Sequence, residues 1–264
     1  MKGTEIEMIF ERIETLLKSC ETKHPCMPPT HLYNEGWMLR LILDRFHSLG
    51  FGSEQHPLAV PSSCRWYSEA LLPSAFLAES RKDSHAESWT HADGVIGHFD
   101  IGNGAKGNLT LHPEATHFVV LEAKMFSKLS SGVKNATYFN QAARNVACMA
   151  ETMKRAARPS QAFRALGFYV LSPASQIAQG LFNRYLTRLS IQTIVERRVK
   201  EYEGQRDKWF SDWFMPVIER LEIQAISWED IIDFLSKQDP DVDTLKEFYR
   251  RCLEFNKVSQ KLPA

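Results

Sequence analysis

The chain has 264 residues, of which 44% are hydrophobic and 24% charged, a composition typical of a globular protein with a buried core. Basic and acidic residues balance at 32 each, which excludes a strongly basic nucleic-acid-binding chain, although a local basic patch would suffice. No apolar run approaches the roughly 20 residues of a membrane span, and the acidic, amphipathic N-terminus is unlike a signal peptide. We therefore expect a cytoplasmic protein with no membrane contact.

The first third of the chain is predicted to be mainly helical. Apolar residues recur at helical spacing over 4–19, and a second such stripe follows Thr30, the expected N-cap, to about residue 47. Prolines break the chain between the two helices. A short strand over 65–72 and an exposed polar connection over 78–91 follow.

The middle of the chain alternates apolar runs with turn-forming residues. It predicts a strand over 93–102, a glycine-rich turn and an extended segment up to Lys124. A helix over 135–157 and a buried strand over 165–173 come next. This succession of strand, hairpin, strand, helix and strand is typical of an α/β protein.

The last third is predicted to be helical with one late strand. A helix over 175–203 is followed by a short strand and a helix whose N-cap is Ser227, with Asp230 in capping-box position. A final helix is predicted over 243–256. The sequence shows no internal repeat, low-complexity segment or clear linker.

These elements predict one α/β domain over residues 1–264. Its parts are a helical N-terminal region over 1–60, a core over 61–173, and a helical C-terminal region over 174–264 that contains the late strand. Five cysteines without a C-x-x-C pair indicate reduced thiols rather than a disulfide framework.

The segment HFVVLEAKMF, residues 117–126, places charge at the end of an apolar strand. Side chains alternate along a strand, so Glu122 and Lys124 point to one face while Ala123 points to the other. A salt bridge is one explanation, but charge at this place is costly unless it is paired or used. The other explanation is chemical, because a carboxylate can bind Mg²⁺ and an ammonium can orient a water.

A metal site needs a second carboxylate, and the preceding strand offers Asp93 and Asp100. Strand parity puts them on opposite faces, so only one can join Glu122 unless a bulge intervenes. Pairing Asp93 with Glu122 puts the hairpin midpoint at Gly107–Asn108, inside the turn-forming segment 102–108, whereas pairing Asp100 with Glu122 puts it on Leu111 in an extended run, so Asp93 is favoured. Asp100 stays open as the alternative acidic ligand.

A second E-x-K occurs at Glu21 and Lys23, and it serves as an internal control. This copy ends a predicted helix beside a proline and has no strand before it. We expect it to be a solvated helix end. The apolar residues before Glu122 and the upstream aspartate distinguish the two copies.

An Asp, a strand ending in VVLEAK, and a helix carrying Tyr138 and Gln141 resemble the PD-(D/E)XK, or restriction-endonuclease-like, nuclease superfamily. The resemblance covers about residues 60–172 and implies an αβββαβ core with a mixed central sheet flanked by helices. It implies phosphodiester hydrolysis with Mg²⁺ or Mn²⁺, in which Asp93, Glu122 and the Ala123 carbonyl hold the metal and Lys124 assists the water.

The chain departs from the family pattern at two places. No proline precedes either aspartate, and Asn145 stands where a tyrosine is common. The family also suggests a glutamate from an early helix, for which Glu35 and Glu69 are available, although a surface carboxylate is the simpler role for both.

Several basic residues around the predicted core could contact nucleic acid. Gln141 and Arg144 share a helix face and could reach a phosphate or the attacking water, or could form a solvated stripe. Loop lysines Lys128 and Lys134 could contact the backbone. The region 180–200 is basic and could follow phosphates, although a helix counterbalanced by nearby acids such as Glu196, Glu201 and Glu203 is favoured; its basic residues are Arg184, Arg188, Arg197, Arg198 and Lys200.

Other motifs in the chain are weak. The glycines at 102–107 match G-x-G-x-x-G, but a strand-like segment follows them instead of a helix, so no cofactor is expected. Two zinc sites are conceivable but disfavoured, because neither set has a convincing ligand geometry. These sets are Cys20, His24 and Cys26, and members of His91, His98, His112 and His117.

The favoured function is a metal-dependent nuclease that acts on nucleic acid, with DNA as the favoured substrate. One alternative is an inactive nuclease-like module that binds nucleic acid or protein, and another is an unrelated α/β enzyme or scaffold. A homodimer or a targeting partner is compatible with the sequence. The sequence does not distinguish DNA from RNA, single from double strands, or exonuclease from endonuclease activity, and it does not show which base sequence is read.

Overall fold

The computed structural model describes residues 2–78, 83, 85–102, 107–132 and 135–256. A five-stranded mixed sheet in the order β1-β2-β5-β6-β7 lies at the centre of this part. Its strands are β1 (Arg65–Leu72), β2 (Thr90–Gly97), β5 (His117–Ala123), β6 (Ala165–Ser172) and β7 (Glu222–Ser227). A separate two-stranded ribbon pairs β3 (Phe99–Ile101) with β4 (Leu109–Leu111).

The sheet changes from antiparallel to parallel at β5. Strands β1, β2 and β5 pair antiparallel, whereas β5, β6 and β7 run parallel. Every residue of β5 is buried, as expected for a strand covered on both faces. A helix connects β5 to β6, which satisfies the long crossover that parallel neighbours require.

Helices cover both faces of the sheet and continue the chain at both ends. The helices are α1 (Lys2–Lys18), α2 (Glu35–Leu49), α3 (Gln141–Arg155), α4 (Ala174–Ala178), α5 (Arg188–Lys200), α6 (Asp207–Trp209), α7 (Met215–Arg220), α8 (Trp228–Leu235) and α9 (Val242–Asn256). A π-helical segment, Phe210–Phe214, joins α6 to α7. The predicted α/β class, with a mixed sheet flanked by helices, is confirmed.

Alternating strand residues feed two apolar clusters, one on each face of the sheet. Val120 and Val170 point towards α3 and α5, and Val119 and Leu171 point towards α2, α8 and α9. Burial of these side chains provides the main driving force for packing helices on the sheet. The same alternation decides which helices the charged residues at the end of β5 can reach.

The predicted strand over 93–102 is wrong as a single strand. Strand β2 begins earlier, at Thr90, and ends at Gly97. Gly97 has φ +153°, and a Cβ there would lie 2.2 Å from the His117 carbonyl oxygen. A residue with a side chain cannot make this close approach, so the chain turns at Gly97 and Phe99 begins the separate ribbon.

Three helix boundaries differ from the prediction because local caps and turns decide them. Asn34, not Thr30, caps α2 by accepting from the Trp37 N–H. Asn140 caps α3, so the helix predicted over 135–157 begins only at Gln141. The helix predicted over 175–203 is two helices, α4 and α5, with Gly180 at φ +71° between them.

The capping box at the start of α8 is present as predicted. Ser227 Oγ accepts from the Asp230 N–H at 2.9 Å, which satisfies one of the free N–H groups at the helix start. The final predicted helix corresponds to α9. Across the described part of the chain, no helix combines the length and apolar character needed to cross a membrane.

Candidate functional site

The carboxylate site, defined here as Asp93, Glu122 and Lys124, lies where β2 and β5 end side by side. Gly94 pairs with Leu121, and continuing this antiparallel register by one residue places Asp93 opposite Glu122. The two strands are joined there by the Ala123 N–H, which donates to Asp93 Oδ2 at 2.7 Å. Both acids therefore point to the face of the sheet that α3 covers.

Glu122 is fully buried and hydrogen-bonded through both oxygens. Lys124 Nζ and Gln141 Nε2 each donate to Oε1 at 2.5 Å. Asn145 Nδ2 donates to Oε2 at 3.1 Å. Gln141 and Asn145 are four residues apart in α3, so one helical face presents both amides to the carboxylate.

The acids and the ammonium of the carboxylate site shift each other's pKa. Burial, and after it the nearby Asp93 charge, raise the pKa of Glu122 against the opposing Lys124 ammonium, and the net result is a pKa of about 8. Burial lowers the pKa of Lys124, but the Glu122 carboxylate outweighs burial, so this pKa is raised overall. One ammonium thus faces two acids, Asp93 and Glu122, inside a poorly solvated site.

This donor set fits a hard divalent cation. Mg²⁺ prefers oxygen ligands and is usually bound through one or two carboxylates with waters. Within the described ranges, no three His, Cys, Asp or Glu side chains converge to hold a metal. A cation between Asp93 and Glu122 would therefore need further oxygens from water and backbone, and the predicted role of the Ala123 carbonyl remains a prediction.

An open cavity of about 500 Å³ adjoins the carboxylate site. Asp93 lines it together with Trp89, His91, Asn135, Gln141 and Arg144. Arg144 Nε is buried and has no hydrogen-bond partner among the described residues. Because an unpaired buried donor is costly, this nitrogen is suited to an acceptor that enters the cavity.

A second cavity continues from the first along the edge of the sheet. It has a volume of about 700 Å³ and shares Ser88, Trp89 and His91 with the first cavity. Tyr67 and Asn108 extend its lining towards β4. The two cavities together form a groove that leads past aromatic and polar side chains to Asp93.

Asp100 lies outside the carboxylate site. It is exposed on β3, and its Oδ2 lies 3.2 Å from His112 Nε2. The ribbon that contains Asp100 is separate from the five-stranded sheet because the chain turns at Gly97. The structure thus brings the favoured aspartate, and not the alternative, next to Glu122.

Tyr138 and Gln141, which sequence analysis placed on one helix, belong to different parts of the fold. Tyr138 precedes α3, and its hydroxyl donates to Glu201. The guanidinium of Arg197 lies 3.7 Å from the centroid of the Tyr138 ring. The contacts of Tyr138 therefore lead to α5, whereas Gln141 contacts Glu122 directly.

The two additional glutamates both lie near the carboxylate site. Glu35 is in the first turn of α2, where its charge helps to raise the pKa of Lys124. Glu69 is on β1 opposite Asp93, has φ +60° and lies 3.5 Å from Arg40. Burial, and then the charge of Asp93, raise the pKa of Glu69.

The basic region over 180–200 does not form one phosphate-binding face. Arg188 donates to the carbonyls of Ile218 and Leu221, and the fully buried Arg198 pairs with Glu201. Lys200 pairs with Glu196 at 2.8 Å. The predicted balancing of this helix by nearby acids is confirmed for Glu196 and Glu201.

Two other predicted contacts stay untested. Arg184 lies before α5 and stacks on Tyr185, away from the basic residues of the helix. Lys128 is exposed after β5, and Lys134 lies outside the described residues. Among the described residues, Lys128 has no contact that assigns it a function.

The weak motifs do not assemble into sites. Cys26 contacts Ser19 at 2.8 Å, and Cys20 is buried. The four histidines have separate partners or none: His91 lies near Glu69, His98 near Cys64, His112 near Asp100, and His117 Nε2 is unpartnered. Strand β4 follows Gly107, where a dinucleotide-binding motif would open a helix, and 103–106 lie outside the described residues.

Sequence reasoning missed Asn145 as a member of the site. In the sequence, Asn145 was noted only because it stands where a tyrosine is common in the family. Its spacing of four residues from Gln141 was the signal that could have placed both amides on one helix face. No protein-family model, curated protein or solved structure matches the chain.

Proposed function

We propose that the protein is a metal-dependent nuclease of the restriction-endonuclease-like type. One observation carries this proposal: Asp93, Glu122 and Lys124 meet at a sheet edge that opens into a cavity with a free arginine nitrogen. The order α2-β1-β2-β5-α3-β6 also agrees with the αβββαβ core that the resemblance implies.

The metal in this proposal is Mg²⁺ or Mn²⁺, held by Asp93, Glu122 and the Ala123 carbonyl. When bound, such an ion lowers the pKa of a coordinated water and stabilises negative charge on a phosphate. The meeting of two acids with one ammonium in the carboxylate site supports this assignment. Asn145 and Gln141 fix the orientation of Glu122, as ligand-supporting groups do in metal sites.

Lys124 and Arg144 have separate roles in the proposed reaction. The Lys124 ammonium, kept charged by Glu122, orients the attacking water and stabilises developing negative charge. Arg144 donates from its unpartnered Nε to a phosphate oxygen in the cavity, where a charge-assisted hydrogen bond is strong. Attack at phosphorus then requires the phosphodiester to lie between Arg144 and the acids.

DNA is the favoured substrate, and the groove beside the carboxylate site supports a nucleic-acid ligand. Trp89 and Tyr67 offer aromatic surface for bases, and Asn135 and Asn108 offer hydrogen-bonding groups. We propose no sequence reader within the chain.

A cleavage assay tests the proposal. The protein is incubated with plasmid DNA, linear DNA, single-stranded DNA and RNA, each with Mg²⁺, Mn²⁺ or chelator. We expect metal-dependent cleavage that Glu122→Gln abolishes and Glu21→Gln leaves unchanged, with thermal melting to show that both variants fold. Full activity of Glu122→Gln, or cleavage that persists in chelator, would refute it.

The same assay separates the alternative of an inactive binding module. That module would bind nucleic acid in an electrophoretic mobility shift with or without metal and would cleave none of the four substrates. Both acids would then serve only the fold. Binding without cleavage under every metal condition would favour this alternative over the nuclease.

A further inference from the structure

Glu87 is a half-buried acid that the proposed function does not use. It lies in the connection between β1 and β2 and lines the same cavity as Asp93 and Arg144. Its backbone N–H donates to the Phe76 carbonyl oxygen at 2.9 Å, which fixes the residue in place. The sequence predicts only an exposed polar connection over 78–91, so Glu87 is not among the predicted site residues.

The two carboxyl oxygens of Glu87 have different surroundings. Oε1 accepts a hydrogen bond from the Ser74 hydroxyl, and Ser74 Oγ in turn accepts from the Phe76 N–H at 3.0 Å. Oε2 is buried and has no hydrogen-bond partner among the described residues. Because Oε1 is the acceptor for Ser74, the proton of a neutral Glu87 carboxyl is placed on Oε2.

The nearby arginines do not pair with Glu87 in the described part of the chain. Arg198 is fully buried, but it donates to Glu201 and to the His85 carbonyl oxygen. Arg144 has an unpartnered nitrogen of its own, Nε, and lines the same cavity as Glu87. Leaving two buried polar atoms unpaired is costly, so a group that enters the cavity and satisfies both is favoured.

The surroundings of Glu87 favour its neutral form. Burial raises the pKa of Glu87, and the hydrogen bond to Oε1 and the charges of Arg198 and Arg144 oppose burial without outweighing it. Cys148 of α3 and Tyr202 of α5 also feel the Glu87 charge, but their own pKa values, raised mainly by burial to about 12, keep both neutral. A carboxyl shifted in this direction is better matched to giving up a proton near neutral pH.

A phosphodiester bound as proposed would meet both unpartnered atoms. The phosphate oxygen accepts from Arg144 Nε, and Glu87 lines the same cavity of about 500 Å³. A charged Glu87 would repel the phosphate, whereas a neutral carboxyl donates from Oε2 to an oxygen of the phosphodiester, and such hydrogen bonds to an anionic acceptor are strong. The charge of the substrate therefore selects the form of Glu87 that carries a proton.

We propose that Glu87 is the general acid of the hydrolysis and protonates the leaving sugar oxygen from Oε2. This inference rests on the proposed function and adds a residue to its mechanism. The water oxygen forms a bond to phosphorus, and the bond from phosphorus to the leaving oxygen breaks. The electron pair of the broken bond goes to the leaving oxygen, which takes the Glu87 proton. The attacking water loses one proton to solvent, and solvent returns one to Glu87.

Cleavage of matched oligonucleotides tests the role of Glu87. One has an ordinary phosphodiester, and the others carry sulfur as the 3′- or the 5′-bridging atom. A sulfur leaving group does not need the proton, because a thiol ionises at a pKa of about 8.5. Glu87→Gln should cleave the phosphodiester about 10²–10⁴-fold more slowly than the wild type, the contribution of a general acid. On the oligonucleotide with sulfur at the leaving position, it should cleave at nearly the wild-type rate.

Glu229→Gln is the matched control. Glu229 is a half-buried glutamate of α8 whose oxygens accept from the Ala174 N–H and the Tyr249 hydroxyl, and this variant should cleave every substrate as the wild type does. Thermal melting shows whether the variants fold. If Glu87→Gln does not fold, Glu87→Asp replaces it, with a slower phosphodiester reaction and the same recovery on sulfur. In chelator, a mobility shift should show equal binding of the phosphodiester by Glu87→Gln and the wild type.

Two results would overturn the general acid. One is equal slowing of Glu87→Gln on the phosphodiester and on the sulfur-bridged substrate, which would give Glu87 a role in binding or folding. The other is an unchanged rate of Glu87→Gln on the phosphodiester. Both results would leave the proposed nuclease standing. A wild type that cleaves none of the substrates would instead refute the nuclease, and the general acid with it.

Discussion

The two E-x-K copies of this chain have the same letters and different physical surroundings. Glu21 ends a short 3₁₀ helix, and its side chain is 36% exposed. Glu122 ends a core strand and is fully buried beside Asp93 and Lys124. The same three-residue pattern is thus placed among other charged groups only where it ends a buried strand.

The partners of the two glutamates differ in the same way. Glu21 accepts from the Tyr33 hydroxyl and lies 2.7 Å from an Arg251 nitrogen, so it joins the N-terminal segment to α9. This is more than the solvated helix end that we expected. Glu122 is instead held by amides of α3 and by Lys124, next to a second acid and an open cavity.

The largest predicted effect is that of replacing Asp93, the acid that lies beside Glu122 and distinguishes this copy from the Glu21 copy. Asp93→Asn should reduce metal-dependent cleavage by about 10³-fold, because loss of metal-based charge stabilisation costs several kcal/mol. The measurement is the initial rate of plasmid cleavage with Mg²⁺. Asp100→Asn is the control and should keep wild-type activity, and an equal loss in both variants would contradict the assignment of Asp93.

The two lysines give a direct comparison of the copies. Lys124→Ala should reduce cleavage by about 10²–10³-fold, the range for removal of one group that stabilises developing negative charge. Lys23→Ala should leave the rate unchanged because Lys23 is exposed and distant from the acids. Rates are compared at saturating substrate, and a fully active Lys124→Ala would remove Lys124 from the mechanism.

Arg144 in the cavity beside Glu122 should have a smaller effect, on substrate binding as well as on rate. Arg144→Ala should weaken the reaction by roughly 10–100-fold, as expected for a lost charge-assisted hydrogen bond. We expect the loss to be shared between KM and kcat, measured with an oligonucleotide substrate. Arg250→Ala, on the exposed surface of α9, is the control, and unchanged kinetics in Arg144→Ala would show that the phosphate lies elsewhere.

The smallest predicted effects are on stability. Asn145→Ala should lower the free energy of unfolding by about 1–3 kcal/mol, because the buried Glu122 loses a hydrogen bond. Tyr33→Phe, which removes the partner of Glu21, should cost about 0.5–1.5 kcal/mol. Urea unfolding measures both values, and a larger loss in Tyr33→Phe would reverse the ranking of the two copies.

The sequence was sufficient for the features that strand alternation determines. The apolar run before Glu122 predicted β5, and side-chain parity placed Glu122 and Lys124 on one face. The glycines of the turn favoured Asp93 over Asp100 as the neighbour of Glu122, and the register has this arrangement. The metal and catalytic roles of these residues remain predictions.

Features that depend on local caps or on tertiary packing were not predictable in the same way. Alanine-rich spacing suggested a helix through Tyr138, but the Asn140 cap starts α3 later and leaves Tyr138 in the preceding turn. Asn145 enters the site only because α3 packs over β5. Likewise, the influence of Glu35 on Lys124 arises from the packing of α2, which no local pattern encodes.

The central claim is that Glu122, but not Glu21, helps to hold a divalent cation. Isothermal titration of Mg²⁺ into the wild type, Glu122→Gln and Glu21→Gln tests this claim most directly. Our account predicts saturable binding to the wild type and to Glu21→Gln, and loss of that binding in a folded Glu122→Gln. Equal Mg²⁺ binding by Glu122→Gln and the wild type, or no binding by the wild type, would contradict it.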